Sequence, residues 1–166
     1  MKETLILGLG NEFLSDDGIG SKIVHDLENS FPDDKIDYKY FVTGSLDLID
    51  VISGYRFLVI VDAMRTRYYK PGNVISFEMQ DYQATVHLNN FHDIPFPDSV
   101  KLAQQLEMDM PEMILIAGIE ISTDLEFSSE LSPELKTRYN SVLGKVISII
   151  SQHLLLPEKQ IKNITA

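Results

Sequence analysis

Residues 5–20 predict a strand, a loop and a helix in immediate succession. The aliphatic run at residues 5–9 ends on a glycine-rich turn, and beyond Gly18 the apolar residues recur at helical spacing. A continuous aliphatic run is typical of a parallel strand that is buried on both faces. Open α/β sheets bind their ligands at the loops that follow such strands. The loop before Gly18 is therefore the first candidate for a functional site.

Predicted strands and helices alternate along the rest of the chain. The strands are predicted over residues 2–9, 36–42, 56–61, 73–77 and 113–119. The helices are predicted at about residues 17–31, after Ser45, at 98–106, and from Pro133 onward. Because only a short link with a Pro71-Gly72 turn precedes the fourth strand, that strand is expected to pair antiparallel with its predecessor or to lie at an edge. The pattern predicts a three-layer α/β/α sandwich with a mostly parallel, twisted sheet of about five strands, one of them antiparallel.

Length and composition favour a single domain. The 166 residues are 44% hydrophobic, which is enough for one substantial core. We expect residues 1–156 to form a single α/β domain and residues 157–166 to form a polar C-terminal tail. No apolar run approaches the roughly 18 residues of a membrane helix, and no signal-peptide pattern is present at the start. We therefore expect a cytoplasmic protein that does not bind membranes.

Charge and cysteine content exclude several classes of function. A formal net charge of −11 repels phosphate backbones and argues against nucleic acid as a partner. The absence of cysteine excludes disulfides, thiolate metal ligands and thiol nucleophiles, so a metal ion would need His, Asp or Glu ligands. The sequence contains neither a Gly-x-Ser-x-Gly elbow nor a His-Glu-x-x-His helix. A serine nucleophile therefore cannot be nominated.

A nucleotide-binding α/β domain is a less favoured alternative. Gly8-Leu9-Gly10 after a strand is how a dinucleotide fingerprint begins, but its third glycine would fall at Phe13, where a bulky side chain blocks close helix packing. Asp16 and Asp17 would also repel a pyrophosphate at the start of the helix. This alternative predicts thermal stabilisation by dinucleotides or ATP.

Two carboxylates and one imidazole are predicted to meet at the carboxyl edge of the sheet. Asp17 lies in the first loop, Asp62 follows the third strand, and His92 lies in the aperiodic segment 80–97, with His87 as a weaker candidate. Taken singly, the two aspartates suit a helix N-cap and a turn, and a loop histidine is often merely exposed. Together the three suit a divalent first-row metal ion with coordination positions left for water or substrate. The residues alone leave both interpretations open.

Five motifs give the chain a family resemblance. They follow one another over about residues 4–150: Gly8-Leu9-Gly10-Asn11, Asp16-Asp17-Gly18-Ile19-Gly20, Val61-Asp62-Ala63, Pro71-Gly72 and His92-Asp93-Ile94-Pro95. In this set the chain resembles the nickel-iron hydrogenase maturation endopeptidases. The opening Gly-x-Gly-Asn-x-x-x-x-Asp-Asp-Gly-x-Gly block is the most specific part of the match. One departure is that relatives commonly carry an Asp-Gly-Gly-Thr-like run where this chain keeps only Thr43-Gly44.

The resemblance implies a protease that acts on one partner. Members of the family remove a C-terminal extension from the precursor of a nickel-iron hydrogenase large subunit once nickel has been inserted. Carried over by position, Asp17, Asp62 and His92 would be both the metal ligands and the catalytic residues. The nickel would be supplied by the precursor rather than bound permanently, and a free carboxylate such as Asp16 could act as general base. The alternative from another class is a non-catalytic nickel-responsive binding module that acts on the same precursor.

Overall fold

The structure, a computed structural model, describes residues 2–42, 47–81, 85–88, 94–122 and 126–154. Within them lie the strands β1 Lys2–Leu9, β2 Ile36–Phe41, β3 Tyr55–Met64, β4 Val74–Glu78 and β5 Met113–Glu120. The α-helices are α1 Ile19–Ser30, α2 Asp47–Ile52, α3 Phe96–Gln105 and α4 Pro133–Leu154. Single 3₁₀ turns lie at Ser15–Gly18 and Met79–Asp81. The predicted cap Ser45 and the predicted tail 157–166 lie outside the described residues.

The five strands form one mixed sheet in the order β2-β1-β3-β5-β4. The pairs β1–β2, β1–β3 and β3–β5 are parallel, whereas β4 runs antiparallel to β5 at an edge. The link between β3 and β4 is too short for the helical crossover of about a dozen residues that a parallel strand needs. The predicted fold class, including its one antiparallel strand at an edge, is confirmed. The alternative that β4 pairs with its predecessor β3 is wrong, because β5 lies between the two strands.

Helices cover both faces of the sheet because successive strand residues point to opposite sides. On one face, alternate residues of β1 and β3 pack with α2 and α3 in a cluster that includes Leu5, Leu7, Leu58, Leu48 and Val100. On the other face, the intervening residues pack with α1 and α4 in a cluster that includes Ile6, Val59, Ile23, Leu135 and Val146. The core is thus two apolar layers separated by the sheet.

Three predicted boundaries differ from the structure. Asp17 does not cap α1, because it lies in a 3₁₀ turn and α1 begins at Ile19. Asp62 lies within β3 rather than after it, since pairing with β5 continues to Met64. Helix α3 begins at Phe96, before the predicted start.

No helix in the described part of the chain is long and apolar enough to span a bilayer.

Candidate functional site

The loop between β1 and α1, and the first turn of α1, leave no room for a side chain at Gly10 and Gly20. A Cβ atom on Gly10, whose φ is 144°, would lie 2.2 Å from the carbonyl oxygen of Asp17. A Cβ atom on Gly20 would lie 2.3 Å from the carbonyl oxygen of Val61 and 2.4 Å from that of Leu9. The first turn of α1 therefore rests directly on the carboxyl ends of β1 and β3. This close packing brings the loop that carries Asp17 to the end of β3.

Asp17 is a buried carboxylate held from three sides. Its Oδ2 accepts hydrogen bonds from the backbone N–H of Asn11 at 3.2 Å and pairs with Nε2 of His87 at 3.0 Å. Its Oδ1 accepts a hydrogen bond from the guanidinium of Arg65 at 3.2 Å. The Arg65 side chain is 30% exposed, whereas that of Asp17 is 5% exposed. Arg65 thus connects the buried carboxylate to the protein surface.

Asp62 is fully buried and binds the same histidine. Its Oδ1 lies 2.6 Å from Nδ1 of His87 and accepts the N–H of Ala63 at 2.8 Å. Its Oδ2 accepts the backbone N–H of His87 at 3.0 Å. His87 therefore bridges two carboxylates, Asp62 through one ring nitrogen and Asp17 through the other.

The network favours a charged imidazole between the two aspartates. Burial alone would lower the pKa of His87, but its hydrogen bonds and charge interactions with Asp17 and Asp62 raise that pKa to about 10. Burial would raise the pKa of Asp17. That pKa is nevertheless lowered overall by the hydrogen bond and charge of His87, by the hydrogen bond from the Asn11 N–H, and by the charge of Arg65. At neutral pH the imidazolium therefore donates a hydrogen bond to each carboxylate.

The position of the imidazole differs from the one favoured by the sequence motif. His92 lies outside the described residues, and the histidine that contacts both carboxylates is His87, which the sequence suggested only as the weaker candidate. The segment 85–88 is placed by a hydrogen bond from the N–H of Val86 to the carbonyl of Ala63 at 2.8 Å. Thr85 and Leu88, which lie on either side of His87, are buried. The segment is too short to show a periodicity from which this contact could have been predicted.

Asp16 faces away from this network. It is buried, and its Oδ1 accepts the backbone N–H of Ser132, immediately before α4, at 2.7 Å. Its Oδ2 has no hydrogen-bond partner among the described residues. Asp16 therefore ties the loop to the N-terminus of α4, where a carboxylate is favoured by the helix dipole. This contact favours a structural role over the general-base role considered from the sequence.

The donor atoms of the site suit a divalent cation, although they are now satisfied by one another. Two carboxylates and an imidazole match the ligand preferences of a first-row ion. Within the described ranges, no group of three or more His, Cys, Asp or Glu residues is arranged to hold a metal ion. Both ring nitrogens of His87 are instead hydrogen-bonded to the carboxylates with which they would share the ion. An arriving cation would have to displace His87 or Arg65 from Asp17.

An open cleft of about 400 Å³ adjoins the loop. It is lined by Gly10, Asn11, Glu12, Phe13, Ser21, His25, Tyr40, Phe41 and Val42. The side chains of Phe13 and Val42 are 64% and 59% exposed, respectively. The cleft shares Asn11 with the hydrogen-bond shell of Asp17, so a polypeptide bound there would lie next to the site.

Comparison with known proteins places the chain in a family. A family model described as HycI, hydrogenase maturation protease, matches residues 22–149. The chain is 24% identical over 151 residues to the hydrogenase 2 maturation protease of Escherichia coli (strain K12), covering 89% of this chain and 90% of that protein.

Solved structures share the fold over nearly the whole chain. The hydrogenase maturating endopeptidase HybD from E. coli superposes with a TM-score of 0.73 at 21% identity, covering 91% of this chain and 93% of that one. The [NiFe] hydrogenase maturation protease HybD from Thermococcus kodakarensis superposes with a TM-score of 0.62 at 25% identity, covering 89% and 98%. The resemblance seen in the sequence motifs is thereby confirmed: the chain belongs to the hydrogenase maturation protease family.

Proposed function

We propose that this chain is an endopeptidase that removes the C-terminal extension from the nickel-loaded precursor of a nickel-iron hydrogenase large subunit. Membership in the hydrogenase maturation protease family supports the reaction class. The observation that carries the site assignment is the convergence of Asp17 and Asp62, far apart in sequence, on one imidazole at the carboxyl ends of β1 and β3. A cytoplasmic location is part of the same proposal.

Asp17 and Asp62 bind the nickel ion that the precursor carries. A metal ion bound in this way can polarise the scissile carbonyl or activate a water molecule, so that the protease needs no nucleophile of its own. The role of the two carboxylates is to fix the ion, and with it the adjoining peptide, against the end of the sheet. Their burial excludes bulk water and strengthens each electrostatic contact with the ion.

The processing test is a mass measurement. A nickel-loaded large-subunit precursor is incubated with the purified chain, and we expect the precursor to lose the mass of its C-terminal extension. The Asp62→Asn variant serves as the inactive control. A precursor that binds the chain but keeps its full mass would instead identify a non-catalytic nickel-responsive module.

Two histidines compete for the role of imidazole ligand. His92 is favoured by the sequence motif, whereas His87 is favoured by its contacts with both carboxylates. If His92 is the ligand, His92→Gln abolishes processing while leaving thermal stability unchanged, and His87 serves to hold Asp17 and Asp62 in place. If His87 is the ligand, His92→Gln processes the precursor at the wild-type rate and only His87→Gln is inactive. Processing and melting temperature measured for both variants decide between these assignments.

A further inference from the structure

Residues 65–70, here called the basic loop, join β3 to β4 beside the candidate site. The loop contributes Arg65, Arg67 and Lys70 to a chain with a net charge of −11 and only 14 Lys and Arg residues in all. It also exposes two aromatic side chains, Tyr68 at 88% and Tyr69 at 44%. Exposed tyrosines among arginines are enriched at protein interfaces and are not needed for the core.

A buried carboxylate fixes the shape of the basic loop. Glu120, at the end of β5, is 1% exposed. Its Oε2 accepts the hydroxyl of Thr66 at 2.7 Å, and its Oε1 accepts the N–H of Arg67 at 2.8 Å. The N–H of Tyr68 in turn donates to the hydroxyl oxygen of Thr66 at 3.2 Å. The loop is therefore held by side-chain hydrogen bonds from the core of the sheet rather than by its own backbone alone.

The backbone of the basic loop is strained at Arg67. Arg67 has φ of 63°, in the left-handed region that a non-glycine residue adopts only at a cost. The hydrogen bond to Glu120 offsets this cost, and both Arg67 and Tyr68 remain exposed. Strain of this kind tends to be kept where a segment has a function.

The positive charges of the basic loop are available at the surface and lead to the site. Within the described ranges, the exposed side chains of Arg67 and Lys70 form no salt bridge. At the other end of the loop, Arg65 donates to Asp17 at 3.2 Å. The loop thus carries two exposed cations that are unpaired among the described residues and also contacts the candidate site through Arg65, on a molecule whose net charge is −11.

We propose that the basic loop is a docking surface for an acidic segment of the precursor polypeptide. Charge complementarity identifies the partner, because an acidic segment is repelled by most of this molecule and attracted only where unpaired cations gather. The tyrosine rings of residues 68 and 69 supply flat apolar contact area beside those cations. The identity of the partner as the precursor rests on the proposed function, whereas binding of an acidic peptide does not.

Charge reversal tests the docking surface in the processing reaction. Arg67→Glu/Lys70→Glu is expected to raise the KM for the precursor about tenfold or more with kcat little changed, since attraction is replaced by repulsion outside the reacting centre. Lys70→Glu alone, which leaves the strained residue intact, is expected to give a smaller rise in the same direction. Lys145→Glu on α4 makes the same charge change at another exposed position and keeps the wild-type KM. A wild-type KM for the double variant, with processing intact, would overturn the proposal.

A binding experiment separates this proposal from the proposed function. A fluorescein-labelled peptide of Asp, Glu, Gly and Leu is titrated with the full chain at low and at physiological salt, and its counterpart carries Lys at the acidic positions. We expect the acidic peptide to bind, with an affinity that falls as salt is added and falls about tenfold in the double variant. Equal binding of the two peptides, or unchanged binding by the double variant, overturns the docking surface. Binding of the acidic peptide without any processing of precursor refutes the proposed function alone.

Discussion

Asp62 is fully buried, and each of its carboxylate oxygens accepts a hydrogen bond from His87. A carboxylate is required here because both oxygens must act as acceptors, and an amide can offer only one. Because Asp62 lies inside β3, the strand holds its side chain in a fixed position for the hydrogen bonds with the segment 85–88.

Asp62→Asn is therefore expected to lose both stability and activity. The introduced NH₂ group faces either the backbone N–H or the ring of His87, which leaves a buried donor unsatisfied and costs about 1–3 kcal/mol. Processing should fall about 100-fold or more, which is the size of effect seen when one preorganised electrostatic contact is removed from an active site. Urea unfolding and precursor cleavage measure the two effects, and Asp50→Asn on the exposed face of α2 should change neither. Full activity of Asp62→Asn would remove Asp62 from the mechanism.

The bridge formed by His87 also predicts how stability depends on pH. Its pKa is raised in the folded protein from 6.5 to about 10, so its contribution is fully present below pH 6.5 and is lost as the pH rises toward 10. The pKa of Asp17 is lowered from 3.8, so its contribution is present above that pH and is lost in more acidic solution. We expect the free energy of unfolding of the wild type to exceed that of His87→Gln by about 2–3 kcal/mol near pH 5–6.

That difference should shrink steadily between pH 6.5 and 10, which denaturant titrations of both proteins across this range would measure. A difference that stays constant up to pH 10 would mean that His87 is not held as a cation between the carboxylates.

At the scale of the elements, the close packing of α1 on the sheet determines the position of the loop between β1 and α1, here called the site loop. Gly20 is in the first turn of α1, and a Cβ there would approach the backbone oxygens of Val61 and Leu9 within 2.3 and 2.4 Å. The strands β1 and β3 are each hydrogen-bonded to a neighbour on both sides, so moving their backbone atoms aside would break sheet hydrogen bonds. The loop is tied at its other side to α4 by Asp16, through the N–H of Ser132. The site loop is thus held in place by contacts with the sheet, with α1 and with the start of α4.

Two helical glycines, Gly20 and Gly144, allow the close packing of α1 on the sheet to be tested. Gly20→Ala should destabilise the protein by about 1–3 kcal/mol or more, because α1 must lift off β1 and β3. Gly144→Ala, inside α4 with nothing within 4 Å of the added Cβ, should stabilise it by about 0.5–1 kcal/mol through helix propensity. Thermal unfolding of the two variants measures both signs. Equal effects at the two positions would contradict the close seating of α1.

At the scale of the whole molecule, the sheet could be predicted from sequence, whereas the completed site could not. Aliphatic runs such as 57–61 predict strands, and the short link after β3 predicts an antiparallel or edge strand. Both are local patterns, and both predictions are confirmed. The role of His87 depends on contacts of its segment with the end of β3, from the N–H of Val86 to Ala63 and from the N–H of His87 to Asp62, and such non-local contacts leave no periodicity in the sequence. The alternative that Asp17 caps α1 is wrong, because its carboxylate instead binds Asn11, Arg65 and His87.

The same completed network bears on where the nickel comes from. Asp17 and Asp62 are already satisfied by His87 and Arg65, so a metal ion must displace one of these contacts, and the precursor can supply the binding energy for that exchange. We therefore expect an order-of-addition effect. Nickel-free precursor should stay uncut even when the protease has been incubated with nickel and desalted, whereas nickel-loaded precursor should be cut by protease that was never given metal. Mass spectrometry of the large subunit provides the readout, with Asp62→Asn as the inactive control. Cleavage of nickel-free precursor by the preloaded, desalted protease would show that the ion resides in the protease and that the precursor does not need to deliver it.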